Sequence, residues 1–246
     1  SVGNPGLEPA ETTNFDASLE WYNGRTGAYS VALFYKDIQD FTIRGSSSVI
    51  RGGTSPDVNL DEIAGDIDLG PNPIAEGFAL SQASNGESAS IWGVELSARQ
   101  TFHWLPGPFD GFGVGVNMTY QESEAETGMS WHPEGYSLPF FETPELLFNG
   151  ELYWSKWGWD AYVSYNYQSE FLEDYEDFNN NPYEQPYEFV DLSVKYNVTD
   201  YLQASFEVQN LFDSHTYWYT FGPDSGGLRS YYENGRQLSL GLNAQF

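Results

Sequence analysis

The chain has 246 residues, 36 acidic against 9 basic, and a formal net charge of −27. That sign excludes phosphate-backbone recognition, which needs surplus Lys and Arg, so no nucleic-acid partner is expected. With no cysteine there are no disulfides, thiolate metal sites or cysteine nucleophiles, and with no run of about 18 apolar residues there is no transmembrane helix.

Mean hydropathy is −0.49, which is compatible with barrel strands, because alternation hides their apolar residues. Aromatic content is 17%, and Tyr and Trp are plentiful while Lys is scarce, as in a surface with interfacial aromatic belts. The opening Ser1-Val2-Gly3-Asn4-Pro5-Gly6 lacks the basic and apolar regions of a signal peptide.

The first predicted strand has Phe15, Ala17, Leu19 and Trp21 on one face and Asp16, Ser18, Glu20 and Tyr22 on the other. A short turn, Asn23-Gly24-Arg25-Thr26, leads to Tyr29, Val31, Leu33 and Tyr35 alternating with Ser30, Ala32, Phe34 and Lys36, which reads as a hairpin. Residues 45–88 have the Gly, Ser, Asp and Pro content of a loop. Alternation resumes at Trp92, Val94, Leu96 and Ala98. It continues past Leu105-Pro106-Gly107-Pro108 into Phe112, Val114, Val116, Met118 and Tyr120.

After a loop at about 124–143, Leu152 and Trp154 pass through a short turn to Trp159, Ala161, Val163, Tyr165 and Tyr167. A loop at about 169–187 is dense in acidic residues and Tyr; then Val190, Leu192, Val194 and Tyr196 turn tightly into Leu202, Ala204, Phe206 and Val208. After a loop at about 219–230, the last strand, residues 236–246, places Leu238, Leu240, Leu242, Ala244 and Phe246 on one face. Gln237, Ser239, Gly241, Asn243 and Gln245 take the other.

The tally is about nine strands, joined by long and short links in strict alternation. Outer-membrane barrels have short turns on the periplasmic side and long loops outside. Trp21, Trp104, Trp154, Trp157, Trp159 and Tyr201 fall beside the short turns, where an interfacial girdle belongs. An odd count and a first strand descending from outside predict the later part of a larger barrel, because complete bacterial barrels have an even number. The expected fold is therefore all-β, an antiparallel up-and-down transmembrane barrel portion.

Several segments resemble TonB-dependent outer-membrane receptors. Residues 3–12 resemble the stretch leading into a descending strand, and Gly93-Val94-Glu95-Leu96 resembles a strand opening. Asn210-Leu211-Phe212-Asp213 with Tyr217 resembles the penultimate-strand signature. Gly235-Arg236 and terminal Phe246 resemble the final strand, whose alternating end is read by the barrel-assembly machinery. Residues 34–41, 102–113 and 117–120 resemble a proteobacterial subfamily associated with oligosaccharide uptake.

The resemblance implies location in the outer membrane of a Gram-negative bacterium and a barrel of about 22 strands filled by a plug. It also implies uptake driven through TonB, which would act by way of a plug domain. Residues 1–246 would then be the C-terminal portion of that barrel, without plug or earlier strands, and would form an open sheet with two bare edges. Expected partners are outer-membrane lipid, TonB, the assembly machinery and a small-molecule or oligosaccharide ligand. A ferric-siderophore receptor and, from another class, a soluble all-β carbohydrate-binding module remain open alternatives.

Candidate ligand contacts lie in the loops: Trp131, His132 and Tyr136, then Tyr175 and Tyr183, then Trp218 and Tyr219. Aromatic faces beside acceptors suit sugars, though such rings also pack loops together. The acidic clusters 57–68 and 170–177 lack calcium-loop spacing and read as solvated surface. Their charge disfavours anionic ligands. With three histidines and neither His-Glu-x-x-His nor Gly-x-Ser-x-Gly, no enzymatic activity, cofactor or metal is expected.

Overall fold

The computed structural model describes residues 4–43, 47–50, 78–81, 83–129, 135–176, 181–220 and 227–245. In chain order its first strands are β1 (Glu11–Asn23), β2 (Gly27–Gln39), β3 (Thr42–Ile43), β4 (Ser47–Ile50), β5 (Phe78–Ser81) and β6 (Ser84–Asn85). Then come β7 (Ser88–Thr101), β8 (Phe112–Glu126), β9 (Ser137–Leu138), β10 (Leu146–Lys156), β11 (Trp159–Gln168) and β12 (Phe171–Leu172). The last are β13 (Pro182–Glu184), β14 (Tyr187–Thr199), β15 (Leu202–Gln209), β16 (His215–Thr220), β17 (Leu228–Glu233) and β18 (Gln237–Ala244).

Nine of these form one antiparallel wall in the order β1-β2-β7-β8-β10-β11-β14-β15-β18. The wall is up-and-down, since each strand neighbours the wall strand before it in sequence. Among the described residues it is an open sheet, with β1 paired to β2 and β18 to β15.

Register extends the alternation across strands, because directly opposed residues share a face. Val31, Leu96, Met118, Phe148 and Tyr167 make one continuous row. Farther along, Val114, Leu152, Val163, Leu192, Val208 and Leu238 make another. The opposite face carries Ser30, Ser97, Asn117, Asn149 and Asn166 in a single polar row.

The apolar face is uncovered: Leu19 is 71% and Leu240 85% exposed. An apolar surface that wide needs lipid, and a polar opposite face needs a hydrated lumen. The expected lipid/lumen division therefore runs through the whole wall.

Glycines let bulky side chains lie flat on the lumenal face. A Cβ at Gly113 would meet the Tyr153 ring, and one at Gly115 would meet the Glu151 side chain. The chain of contacts continues to Arg99, which sits 3.4 Å from Glu151 and over the Tyr153 ring.

At the short-turn end, the 3₁₀ turn Gly107–Gly111 docks onto the last residues of β10. Trp154 Nε1 donates to the Pro108 carbonyl at 2.7 Å, and Lys156 Nζ donates to the Gly107 carbonyl at 2.6 Å and pairs with Asp110. Trp21, Trp104, Trp157, Trp159 and Tyr201 are exposed beside these turns, as an interfacial girdle requires.

Boundaries differ from the sequence expectation in several places. β7 begins at Ser88 rather than at Trp92, and β8 runs on to Glu126. The stretch expected as a loop at 169–187 contains β12 and β13. The one expected at 219–230 begins inside β16 and ends inside β17, which pair as antiparallel neighbours, stabilised by Tyr217 stacked on Tyr231 and Trp218 edge-on to Tyr232. Cross-strand aromatic pairs of this kind stabilise a ladder that composition alone obscures.

Candidate functional site

The buried core of the chain lies in the long loops rather than in the wall. Phe41 and Ile43 come from the first loop, Met129 and Leu138 from the second, Leu172 and Tyr175 from the third. Ala89 and Ala125 close it from the lumenal face of β7 and β8. Phe41 meets Phe140 edge-on at 5.2 Å, and Phe141 meets Tyr175 edge-on at 5.5 Å. This core holds three loops in a fixed arrangement over the lumenal side.

The fourth loop joins through backbone. β16 pairs with β13, making the four-stranded sheet β12-β13-β16-β17. Its entry is set by Asn210, one of the residues carrying the family resemblance. Asn210 has φ 52°, a left-handed value that Asn tolerates better than most residues. Its Oδ1 accepts from Ser214 N–H at 2.7 Å, while Asp191 accepts from its own N–H at 2.9 Å. The Asn-Leu-Phe-Asp segment is thus a corner that turns β15 into the loop.

A cleft of about 360 Å³ opens where all four loops converge. Thr42 and Ile43 line it from the first loop and Phe141 and Glu142 from the second. Glu173, Asp174 and Glu176 line it from the third and Arg229 from the fourth. Glu142 is fixed by its N–H donating to the Leu172 carbonyl at 2.7 Å. Glu173 N–H donates to the Pro182 carbonyl at 2.9 Å, and Asn181 Oδ1 accepts from Glu176 N–H at 2.9 Å, which folds the third loop back on itself.

Four carboxylates against one guanidinium leave this cleft strongly negative. Burial pushes the Glu173 carboxyl above the usual carboxylate range, with Arg229 pulling the other way. Beside it, burial and the Glu173 charge push Glu184 up to about 7.

The ligand contacts expected from sequence are dispersed. Trp131 and His132 lie outside the described residues, as does Phe246 of the last strand. Tyr136 is exposed. Tyr183 packs on the loop core and lines a separate cavity of about 500 Å³ with Glu145 and Glu170.

Tyr219 opposes Tyr183 across the β13–β16 pair, and Trp218 opposes Glu184 one residue away, on the other face. Tyr175 is a correction: at 1% exposure, with its hydroxyl donating to the Pro139 carbonyl at 2.8 Å, it is loop core and offers no free ring face. Leu238, Leu240, Leu242 and Ala244 stand in the lipid-facing rows of β18.

Sequence reasoning took the acidic run 170–177 as solvated surface, yet the structure turns Glu173, Asp174 and Glu176 into a cleft wall. Glu142, Arg229 and Glu184 were missed. Acid density marked the third loop, but nothing in the sequence linked it to a carboxylate and an arginine from other loops.

The family described as TonB dependent receptor-like, beta-barrel, matches residues 1–211. The iron-regulated outer membrane virulence protein of Vibrio cholerae is 26% identical over 246 residues, which is 99% of this chain and 32% of that protein. The chain therefore spans about a third of the length of the curated relative it matches. Among solved structures, the copper transporter OprC is similar with TM-score 0.61 and 19% identity, over 100% of this chain and 33% of that one. The ferric yersiniabactin uptake receptor FyuA of Yersinia pestis is similar with TM-score 0.61 and 17% identity, over 96% and 30%.

Proposed function

The chain belongs to the TonB-dependent receptor β-barrel family, and on that premise we propose that it forms the C-terminal part of the wall of an outer-membrane nutrient receptor. Its localisation is the outer membrane of a Gram-negative bacterium. The observation that carries the proposal is the register, which sorts nine strands into a lipid-facing and a lumen-facing surface. That uncovered apolar face also sets aside the soluble carbohydrate-binding module. Uptake would be energised through TonB acting on a plug domain, and the alternating last strand would be read by the barrel-assembly machinery.

The acidic cleft supports a neutral or cationic ligand, because four carboxylates lining it against one guanidinium repel anions at short range. A neutral oligosaccharide, the ligand class suggested by the sequence resemblance, meets that condition. A second reading is favoured by the iron and copper named in the relatives: a metal chelate, restricted by the same charge argument to neutral or cationic forms. Energy-dependent uptake by cells carrying the intact receptor tests both. Radiolabelled oligosaccharides and ferric or cupric chelates are offered with TonB present and absent. Uptake that ignores TonB, or no uptake of either class, would sink the proposal.

A further inference from the structure

Trp218 Nε1 is buried and has no hydrogen-bond acceptor among the described residues. A buried N–H left unpaired costs about 1–3 kcal/mol, and native structures leave few of them. The ring is not loose: it meets Tyr232 edge-on at 5.1 Å, on a strand paired on both sides.

The residue directly opposite Trp218 on β13 is Glu184, so the two side chains leave the sheet on the same face about 5 Å apart at Cβ. Among the described residues the Glu184 carboxyl has no hydrogen-bond donor, while burial and the charge of Glu173 both act against its ionised form. An unpaired, buried indole N–H therefore stands beside a half-buried carboxyl that solvent still reaches, and the two do not bond to each other.

The gap suits a group that both accepts and donates, a water or a ligand hydroxyl in its place. A hydroxyl accepts one hydrogen bond and donates another, so a single hydroxyl can take the Trp218 N–H and give its own proton to Glu184. An anion would be repelled by Glu184 and Glu173. A simple cation would leave the indole N–H unpaired.

Pro182 lies on the same face as Glu184, two residues before it, and lines the four-loop cleft. The pair thus continues the same sheet face two residues beyond Pro182, next to the cleft but not among the residues that line it. We propose that Trp218 and Glu184 form a hydroxyl-recognising subsite for a neutral saccharide, which deepens the oligosaccharide form of the uptake proposal and rests on it. The indole nitrogen has no solvent access in this state, so entry of the hydroxyl requires the ring to give up its packing on Tyr232.

The test uses the intact receptor, purified in detergent, and a panel of neutral oligosaccharides built from glucose, galactose, mannose, xylose or N-acetylglucosamine. A ferric catecholate and a ferric hydroxamate serve as comparison ligands. Trp218→Phe keeps the ring and removes only the N–H; Glu184→Gln keeps the shape and removes the charge. Heat-modifiable mobility on gels shows that each variant is folded.

The expected result is that at least one oligosaccharide binds by calorimetry and quenches tryptophan fluorescence, and that each substitution weakens it about tenfold or more. Saccharide binding unchanged in both variants overturns the subsite and leaves the uptake reading standing. Binding of an iron chelate with none of the saccharides also overturns the subsite while favouring the chelate reading. Binding of neither class overturns both.

Discussion

Arg229 of the fourth loop grips Glu176 of the third with two parallel hydrogen bonds, Nη1 to Oε2 at 2.8 Å and Nη2 to Oε1 at 2.6 Å. The pair closes one side of the four-loop cleft. Its side chains are 39% and 35% exposed, so solvent screening limits it to about 1 kcal/mol despite the bidentate geometry. Arg229→Gln should speed amide exchange in β17 by about fivefold and leave the wall strands unchanged. Equal protection in the two proteins would show that the pair does not hold the loop.

A Cβ added at Gly113 would lie 2.2 Å from the Tyr153 ring. The ring cannot yield by bending, so it must swing away from Arg99. Gly113→Ala should therefore cost about 1–3 kcal/mol, measured by urea unfolding of the intact receptor in lipid vesicles. In the Tyr153→Ala background the same glycine substitution should cost markedly less, because the partner of the clash is gone.

Leu240 and Ser239 are neighbours on β18 with opposite surroundings. Leu240 opposes Phe206 in the apolar row, and Ser239 opposes Glu207 in the polar one. Leu240→Arg should cost about 2–4 kcal/mol in lipid if it lies near the bilayer midplane. Ser239→Arg, facing water and Glu207, should change unfolding in the same vesicles little. Equal costs would contradict the assignment of faces.

Glu184 provides a pH dependence. Its carboxyl is held at about 7 in the folded loop sheet, against an ordinary value of 4.5. The folded form therefore keeps a proton that the opened form releases, and the sheet is most stable below about pH 4.5 and loses stability as pH rises toward 7. After correction for intrinsic rates, amides of β13 should be better protected at pH 5 than at pH 7.5. Glu184→Gln should flatten that difference.

Period-two patterning made the wall legible because each strand has one lipid face and one wet face. Nothing comparable marks the loops. Asn210 was visible as part of a motif, but its service as a left-handed corner needed the backbone. Tyr175 looked like a ligand contact because an aromatic in an acidic loop has the same local sequence whether it points out or in. The β16–β17 hairpin was hidden by polar and aromatic residues that obey no apolar alternation.

The alternation in β18 shows the division of labour most plainly. Leu238, Leu240, Leu242 and Ala244 stand apart from Ser239, Gly241 and Asn243 by the geometry of an extended chain alone. That local rule determined the membrane-facing surface, the strand count and the sorting of links into long and short. It could not determine the cleft. Glu142, Glu173, Asp174, Glu176 and Arg229 come from three loops, and Glu184 meets Trp218 only because β13 pairs with β16. Contacts between distant segments are chosen by burial of the shared loop core and by backbone pairing, which the order of residues along one strand does not encode.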